Sequence, residues 1–167
     1  MRAILLLVAS GLVLLALTAI NEWVIGPIFE IAGPAKILDG DTLLIAGEKL
    51  RLTGIDAPEG DQICKRDGRD WPCGRDATRT LRRYLGNETV HCRSRARDNF
   101  GRSVVTCTKK DGTDINAWMV KEGWAVTDGF TAPYASEQSE AKAGKRGIWS
   151  GTFDNPADWR RLHAQPK

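Results

Sequence analysis

Between Pro34 and Pro58 the chain passes through three short apolar runs, each followed by a turn or breaker signal. Pro34–Leu38 reads as a strand, Asp39-Gly40-Asp41 as a turn, and Thr42–Ala46 as a second strand. Ala46-Gly47-Glu48-Lys49 is hairpin-like and leads to a third strand, Leu50–Ile55. Pro58 cannot donate to a ladder and biases Ala57 toward extended geometry, so the third strand should peel away near Asp56. Two more strands, Glu88–Arg97 and Arg102–Lys109, flank the turn Asp98-Asn99-Phe100-Gly101. Five short strands make a poor open sandwich. A closed Greek-key barrel of the OB type satisfies their edges and leaves one face for a ligand.

Between the third and fourth strands, residues 59–74 are polar, contain two cysteines, and read as a long surface loop. Asp76–Leu85 follows as a helix, with Ala77, Leu81 and Tyr84/Leu85 on one face and Gly86 as its stop. Asp114 can cap a helix over Ile115–Glu122, and Tyr134–Lys145 reads as a third. The expected fold class is therefore α+β dominated by β: a five-stranded OB-fold Greek-key barrel with three helices, preceded by an N-terminal hydrophobic helix. The domain spans residues 33–150, and the tail 151–167, with Trp159, packs back on it.

Ala3–Ile20 is uncharged and apolar but for Ser10, Gly11 and Thr18, just long enough to cross a hydrocarbon core of ~30 Å. Residues 1–20 thus form a signal peptide or a transmembrane anchor, and residues 21–32 a tether. Cleavage after Ala19 would put Leu17 at −3, a poor fit to small-residue rules, so the anchor is favoured. Arg2 precedes the run and the next basic residue is Lys36, which places the N-terminus inside and the domain outside the cytoplasm, membrane-anchored or secreted. The four cysteines agree with export. They allow three pairings, of which local geometry favours Cys64–Cys73 and Cys92–Cys107, each adding roughly 2–4 kcal/mol. No Cys-x2-Cys spacing supports zinc.

Charge is uneven along the chain. Residues 61–110 carry 13 basic and 6 acidic side chains, whereas residues 1–60 carry 4 and 7. A basic middle after an acid-rich start points to an anionic ligand near a carboxylate cluster. Arg75, Arg79, Arg82 and Arg83 lie along the first helix, and Arg93, Arg95 and Arg97 alternate on the fourth strand. They read either as a solvated face or as a sequence-independent track for a polynucleotide backbone. Only two histidines are present, which disfavours chemistry built on several.

Three stretches carry the chemistry. Taken singly, Asp39-Gly40-Asp41-Thr42 is an ordinary turn, Asp56 and Glu59 end a strand, and Arg102 is a surface cation. Together they say more. Asp41 begins the second strand and Asp56 ends the third, so a hairpin brings two carboxylates side by side, where they repel unless a cation lies between them. Oxygen donors alone point to Ca²⁺, or Mg²⁺ second, with the Ala57 carbonyl as a third ligand. Arg51 and Arg102 suit a phosphate through their planar forks, and Glu59 can orient or deprotonate a water. That set suffices for phosphodiester hydrolysis.

At these residues the chain resembles the staphylococcal-nuclease-like (thermonuclease) family, over about residues 33–150. The resemblance is carried by Asp39-Gly40-Asp41-Thr42, Arg51 with Ile55-Asp56-Ala57-Pro58-Glu59, and Phe100-Gly101-Arg102. Ala141-Lys142-Ala143-Gly144 followed by Gly147-Ile148-Trp149 adds to it. It implies Ca²⁺-dependent cleavage of DNA and RNA with little sequence preference, leaving 3′-phosphate ends. Asp41, Asp56 and the Ala57 carbonyl are then the metal ligands, Arg51 and Arg102 the phosphate-binding arginines, and Glu59 the general base. Ala57 stands where the family's best-known member has threonine, and the family's base-flanking tyrosines have no counterpart in residues 127–134, where Phe130 and Tyr134 are the aromatic candidates. The alternative is a non-catalytic OB module binding nucleic acid or another anionic polymer at the cell envelope; such modules typically lose the site residues that this chain keeps together.

Overall fold

The computed structural model describes residues 29–163; the apolar run and most of the expected tether lie outside that range. Six strands share one curled sheet: β1 (Phe29–Pro34), β2 (Lys36–Ile37), β3 (Thr42–Ile45), β4 (Glu48–Leu52), β8 (Thr89–Arg97) and β9 (Ser103–Thr108), in the order β1-β8-β9-β4-β3-β2. All neighbours are antiparallel except β4 and β9, which run parallel with Arg51 opposite Val104. Two short pairs complete the β structure: β5 (Ile55–Asp56) with β10 (Val126–Thr127), and β6 (Cys64–Arg66) with β7 (Arg69–Trp71). Four helices follow the expected mixed pattern: α1 (Cys73–Leu85), α2 (Ile115–Lys121), α3 (Ala135–Ala143) and α4 (Pro156–Leu162), with a 3₁₀ turn at Gly147–Ser150.

The expected closed five-stranded barrel with three helices needs correction. The sheet is a half-barrel of six strands with β1 and β2 at its ends, and among the described residues there are four α-helices. The sixth strand takes the end of the expected tether: Phe29 and Ile31 alternate with exposed residues, so one face of β1 covers the core while its backbone pairs the edge of β8. The predicted third strand is two pieces. Gly54 turns out of the ladder at φ +72°, and β5 then pairs with β10. Asn116 on α2 holds this break, donating to the Thr53 and Val105 carbonyls and accepting the Cys107 N–H. The expected loop 59–74 contains the β6–β7 hairpin around Asp67-Gly68, a dipeptide typical of two-residue hairpin turns.

The core fills the curl of the sheet with Leu43, Leu50, Leu52 and Val105 against Leu81 of α1 and Met119 of α2, all fully buried. The Cys92–Cys107 disulfide crosses β8 and β9 within it. A second cluster, built on Trp71, Ile148 and the Cys64–Cys73 disulfide, takes in Phe153 of the tail. The tail is attached by backbone as well, through Lys65 and Thr152 exchanging both N–H···O bonds. A bulge between Ser94 and Ala96 interrupts the expected alternation of Arg93, Arg95 and Arg97. No helix among the described residues is long and apolar enough to cross a membrane.

Candidate active site

The β3–β4 hairpin sets Thr42 opposite Arg51, and the Asp41 carbonyl accepts the Leu52 N–H at 2.8 Å. This places the Asp41 carboxylate beside the guanidinium of Arg51, whose Nη1 donates to Asp41 Oδ1 at 2.6 Å. Arg51 Nη2 donates to Asp56 Oδ1 at 2.8 Å, so one fork joins two aspartates that are both almost wholly buried. The guanidinium thus joins the two carboxylates that the sequence sets side by side. Thr42 Oγ1 donates to Asp41 Oδ1, and the Ala57 N–H donates to Asp41 Oδ2 at 3.0 Å. Ala57 therefore engages Asp41 through its amide, whereas its expected role uses the carbonyl. Burial pushes the Asp41 carboxyl up to about 7; Arg51 opposes the rise, and Asp39 and Asp56 add to it. Burial also works against the charge on Arg51, but the two carboxylates outweigh it and hold the guanidinium above its ordinary range.

Glu59 stands at the mouth of this arrangement, just past Pro58. A Cβ on Gly74 would lie 1.6 Å from the Glu59 carbonyl oxygen, so the start of α1 meets the Glu59 loop at a distance only glycine permits. The fully buried Gln62 accepts the Glu59 N–H at 3.2 Å and donates to the Asp154 carbonyl at 2.8 Å, tying the loop to the tail. From that tail comes a residue that the sequence reading did not place in the site. Arg160 on α4 donates through Nη1 to Asp56 Oδ1 (2.8 Å) and Glu59 Oε1 (2.7 Å), and through Nη2 to Asp56 Oδ2 (2.9 Å). These contacts, led by the hydrogen bond to Asp56, raise the Arg160 pKa. The signal for α4 was present: Asn155 caps the helix by accepting the Ala157 N–H, Pro156 opens it, and Arg160 and Arg161 fill its last turn. Nothing local, however, pointed Arg160 at Asp56.

Arg102 reaches the site from the β8–β9 turn. Its Nε donates to Asp98 Oδ2 at 2.6 Å and its backbone N–H to Asp98 Oδ1 at 2.9 Å. Parallel pairing of β4 with β9 brings this turn alongside Arg51. Asp41, Arg51, Ala57, Glu59, Arg102 and Arg160 consequently line one groove of about 690 Å³. Of the sequence-selected site residues only Asp56 is not on its wall; it is held by Arg51 and Arg160, which are. Phe100, 85% exposed, stands on the rim. The two aromatic candidates separate: Phe130 is fully exposed, whereas Tyr134 packs on the core and donates to Asp114 Oδ2, with burial and then Asp114 pushing its hydroxyl up to about 12. The arginines of α1 are exposed, but none of them lines the groove.

Whether the residues suit a divalent cation turns on their donor chemistry. Among the described residues no three His, Cys, Asp or Glu side chains are grouped as a cage. The floor offers oxygen only, from Asp41 and Asp56, and these oxygens are engaged by Thr42, Arg51, the Ala57 N–H and Arg160. Carboxylate oxygens are the donors a hard cation takes, and here one would bind by replacing part of those contacts.

Residues 49–151 match the family model described as "Staphylococcal nuclease homologue". Among curated proteins, the "Succinoglycan biosynthesis protein ExoI" of Rhizobium meliloti (strain 1021) is 40% identical over 144 residues, covering 83% of this chain and 74% of that protein. An "Uncharacterized endonuclease" of Escherichia coli O157:H7 is 33% identical over 122 residues, covering 69% and 74%. The "Probable endonuclease LCL3" of Schizophyllum commune (strain H4-8 / FGSC 9210) is 30% identical over 137 residues, covering 70% and 46%.

Proposed function

The chain belongs to the staphylococcal nuclease homologue family, and from that premise we propose that it is a Ca²⁺-dependent endonuclease. It hydrolyses phosphodiester bonds of DNA and RNA with little sequence preference and leaves 3′-phosphate ends. The observation that carries this reading is the convergence of Arg51, Arg102 and Glu59 on one groove above two buried aspartates. Asp41 and Asp56, with the Ala57 carbonyl, would hold the cation, which supplies positive charge for the phosphoryl oxygens and for a bound water. Arg51 and Arg102 receive the scissile phosphate, their forks matching the charge that gathers on its oxygens during attack. Glu59 accepts a proton from the water that attacks phosphorus. The P–O5′ bond breaks, and the 5′ oxygen leaves with a proton taken from solvent, to which Glu59 later returns its own. Phe100 on the rim offers an exposed ring for a base, a sequence-tolerant contact.

The apolar run Ala3–Ile20 and the two disulfides support a catalytic domain outside the cytoplasm, membrane-anchored or secreted. A module that merely bound an anionic polymer would need arginines but neither Glu59 nor paired buried aspartates. The test is digestion of plasmid DNA and of RNA by the purified chain, with Ca²⁺ or with chelator, followed by end-group analysis. Cleavage that Ca²⁺ restores, with 3′-phosphate termini, is expected. Binding without cleavage in every metal condition would sink the reading.

A further inference from the structure

We infer that Arg160 is a positioning residue of the active site, brought to it by α4 of the C-terminal tail. This rests on the proposed role of Glu59 as general base. Arg160 lies beyond residue 151, where the family match ends. Its guanidinium takes both oxygens of Asp56 and one of Glu59. Asp56 is only 3% exposed and already bound by Arg51, so it anchors the Arg160 fork, and the fork in turn fixes the Glu59 carboxylate. A free glutamate after a proline samples several rotamers; one gripped at Oε1 holds a single direction, with Oε2 left for a water.

The attachment is built rather than incidental. Gln62 links the Glu59 amide to the Asp154 carbonyl, Lys65 pairs with Thr152, and Phe153 meets Trp149 edge-on. Buried Pro156 and the Asn155 cap then set the direction of α4. Among the described residues the neighbouring Arg161 pairs only with Asp158 of its own helix, and it lies on an exposed face. Two adjacent arginines thus serve different ends, and this difference provides an internal control.

The experiment compares the full chain with Arg160→Ala, Arg160→Lys and Arg161→Ala, reading kcat and KM on plasmid DNA. Calorimetric Ca²⁺ affinity is read without nucleic acid. Arg160→Ala is expected to lower kcat about a hundredfold, the scale of losing a reactive geometry, while KM stays within about threefold. Arg160→Lys recovers part of kcat, since an ammonium can hold Glu59 but cannot also form the planar fork on Asp56. Ca²⁺ binds Arg160→Ala at least as tightly as wild type, because the Asp56 oxygens are freed rather than disordered. Arg161→Ala behaves as wild type throughout. An Arg160→Ala enzyme with wild-type kcat overturns the inference, as does a loss carried by KM alone or accompanied by weakened Ca²⁺ binding. If the wild-type chain neither cleaves DNA nor binds Ca²⁺, the proposed function itself has failed and the inference falls with it.

Discussion

Arg51 and Arg102 are the same residue type beside the same groove, but they are held in opposite ways. Arg51 leaves the middle of the sheet and joins two buried carboxylates that arrive from a turn and from a separate strand pair. Arg102 is clipped to Asp98, four residues back in its own turn, at the solvent edge. One arginine holds tertiary structure together and can act on substrate only as a component of that framework. The other is poised by local geometry, and the fold does not depend on it. The inner wall of the groove should therefore resist substitution for reasons of stability, and the outer wall for reasons of chemistry.

Four variants bear on that contrast, from the greatest effect on catalysis to the least. Arg51→Ala abolishes cleavage and leaves Asp41 and Asp56 without their shared partner; removing one side of a buried ion pair costs about 3–5 kcal/mol. Urea unfolding reads that loss, and an unchanged midpoint would show that the inner wall is no more structural than the outer. Glu59→Gln keeps the shape and removes the proposed base. Its kcat falls about 10³-fold while the thermal transition stays near wild type, and substantial remaining turnover moves the proton acceptor elsewhere. Arg102→Ala lowers kcat by about 10²–10³-fold yet shifts stability by less than about 1 kcal/mol, as expected for a pair at the surface. A large stability loss in that variant would erase the distinction between the two walls.

The smallest effect on catalysis belongs to the disulfide between β8 and β9. Cys92→Ser with Cys107→Ser lowers stability by about 2–4 kcal/mol and leaves kcat at 25 °C unchanged, because the bridge lies in the core and neither cysteine lines the groove. Lost activity in folded protein would mean that strain in β8–β9 reaches Arg102.

Most of the site was readable in order along the chain. Asp41, Arg51, Asp56, Ala57 and Glu59 lie within one hairpin and its exit, where turn residues and strand period alone decide which groups meet. Arg102 follows a turn of its own. The disulfides belong here too, since they join cysteines only 9 and 15 residues apart. What local pattern could not supply was where distant segments dock. β1 became a strand because the exposed edge of β8 had to be paired, and the break at Gly54 is held by Asn116 from a helix far along the chain. Arg160 is the extreme case: the cap and charges of α4 are written locally, but its contact with Asp56 spans 104 residues. That contact exists because the second hydrophobic cluster seats the tail against the Glu59 loop. Sequence alone determined the hairpin chemistry, since neighbours on a ladder are set by register. Only tertiary packing decided which third arginine closes the groove, since such a contact depends on the summed burial of surfaces whose partners are far apart along the chain.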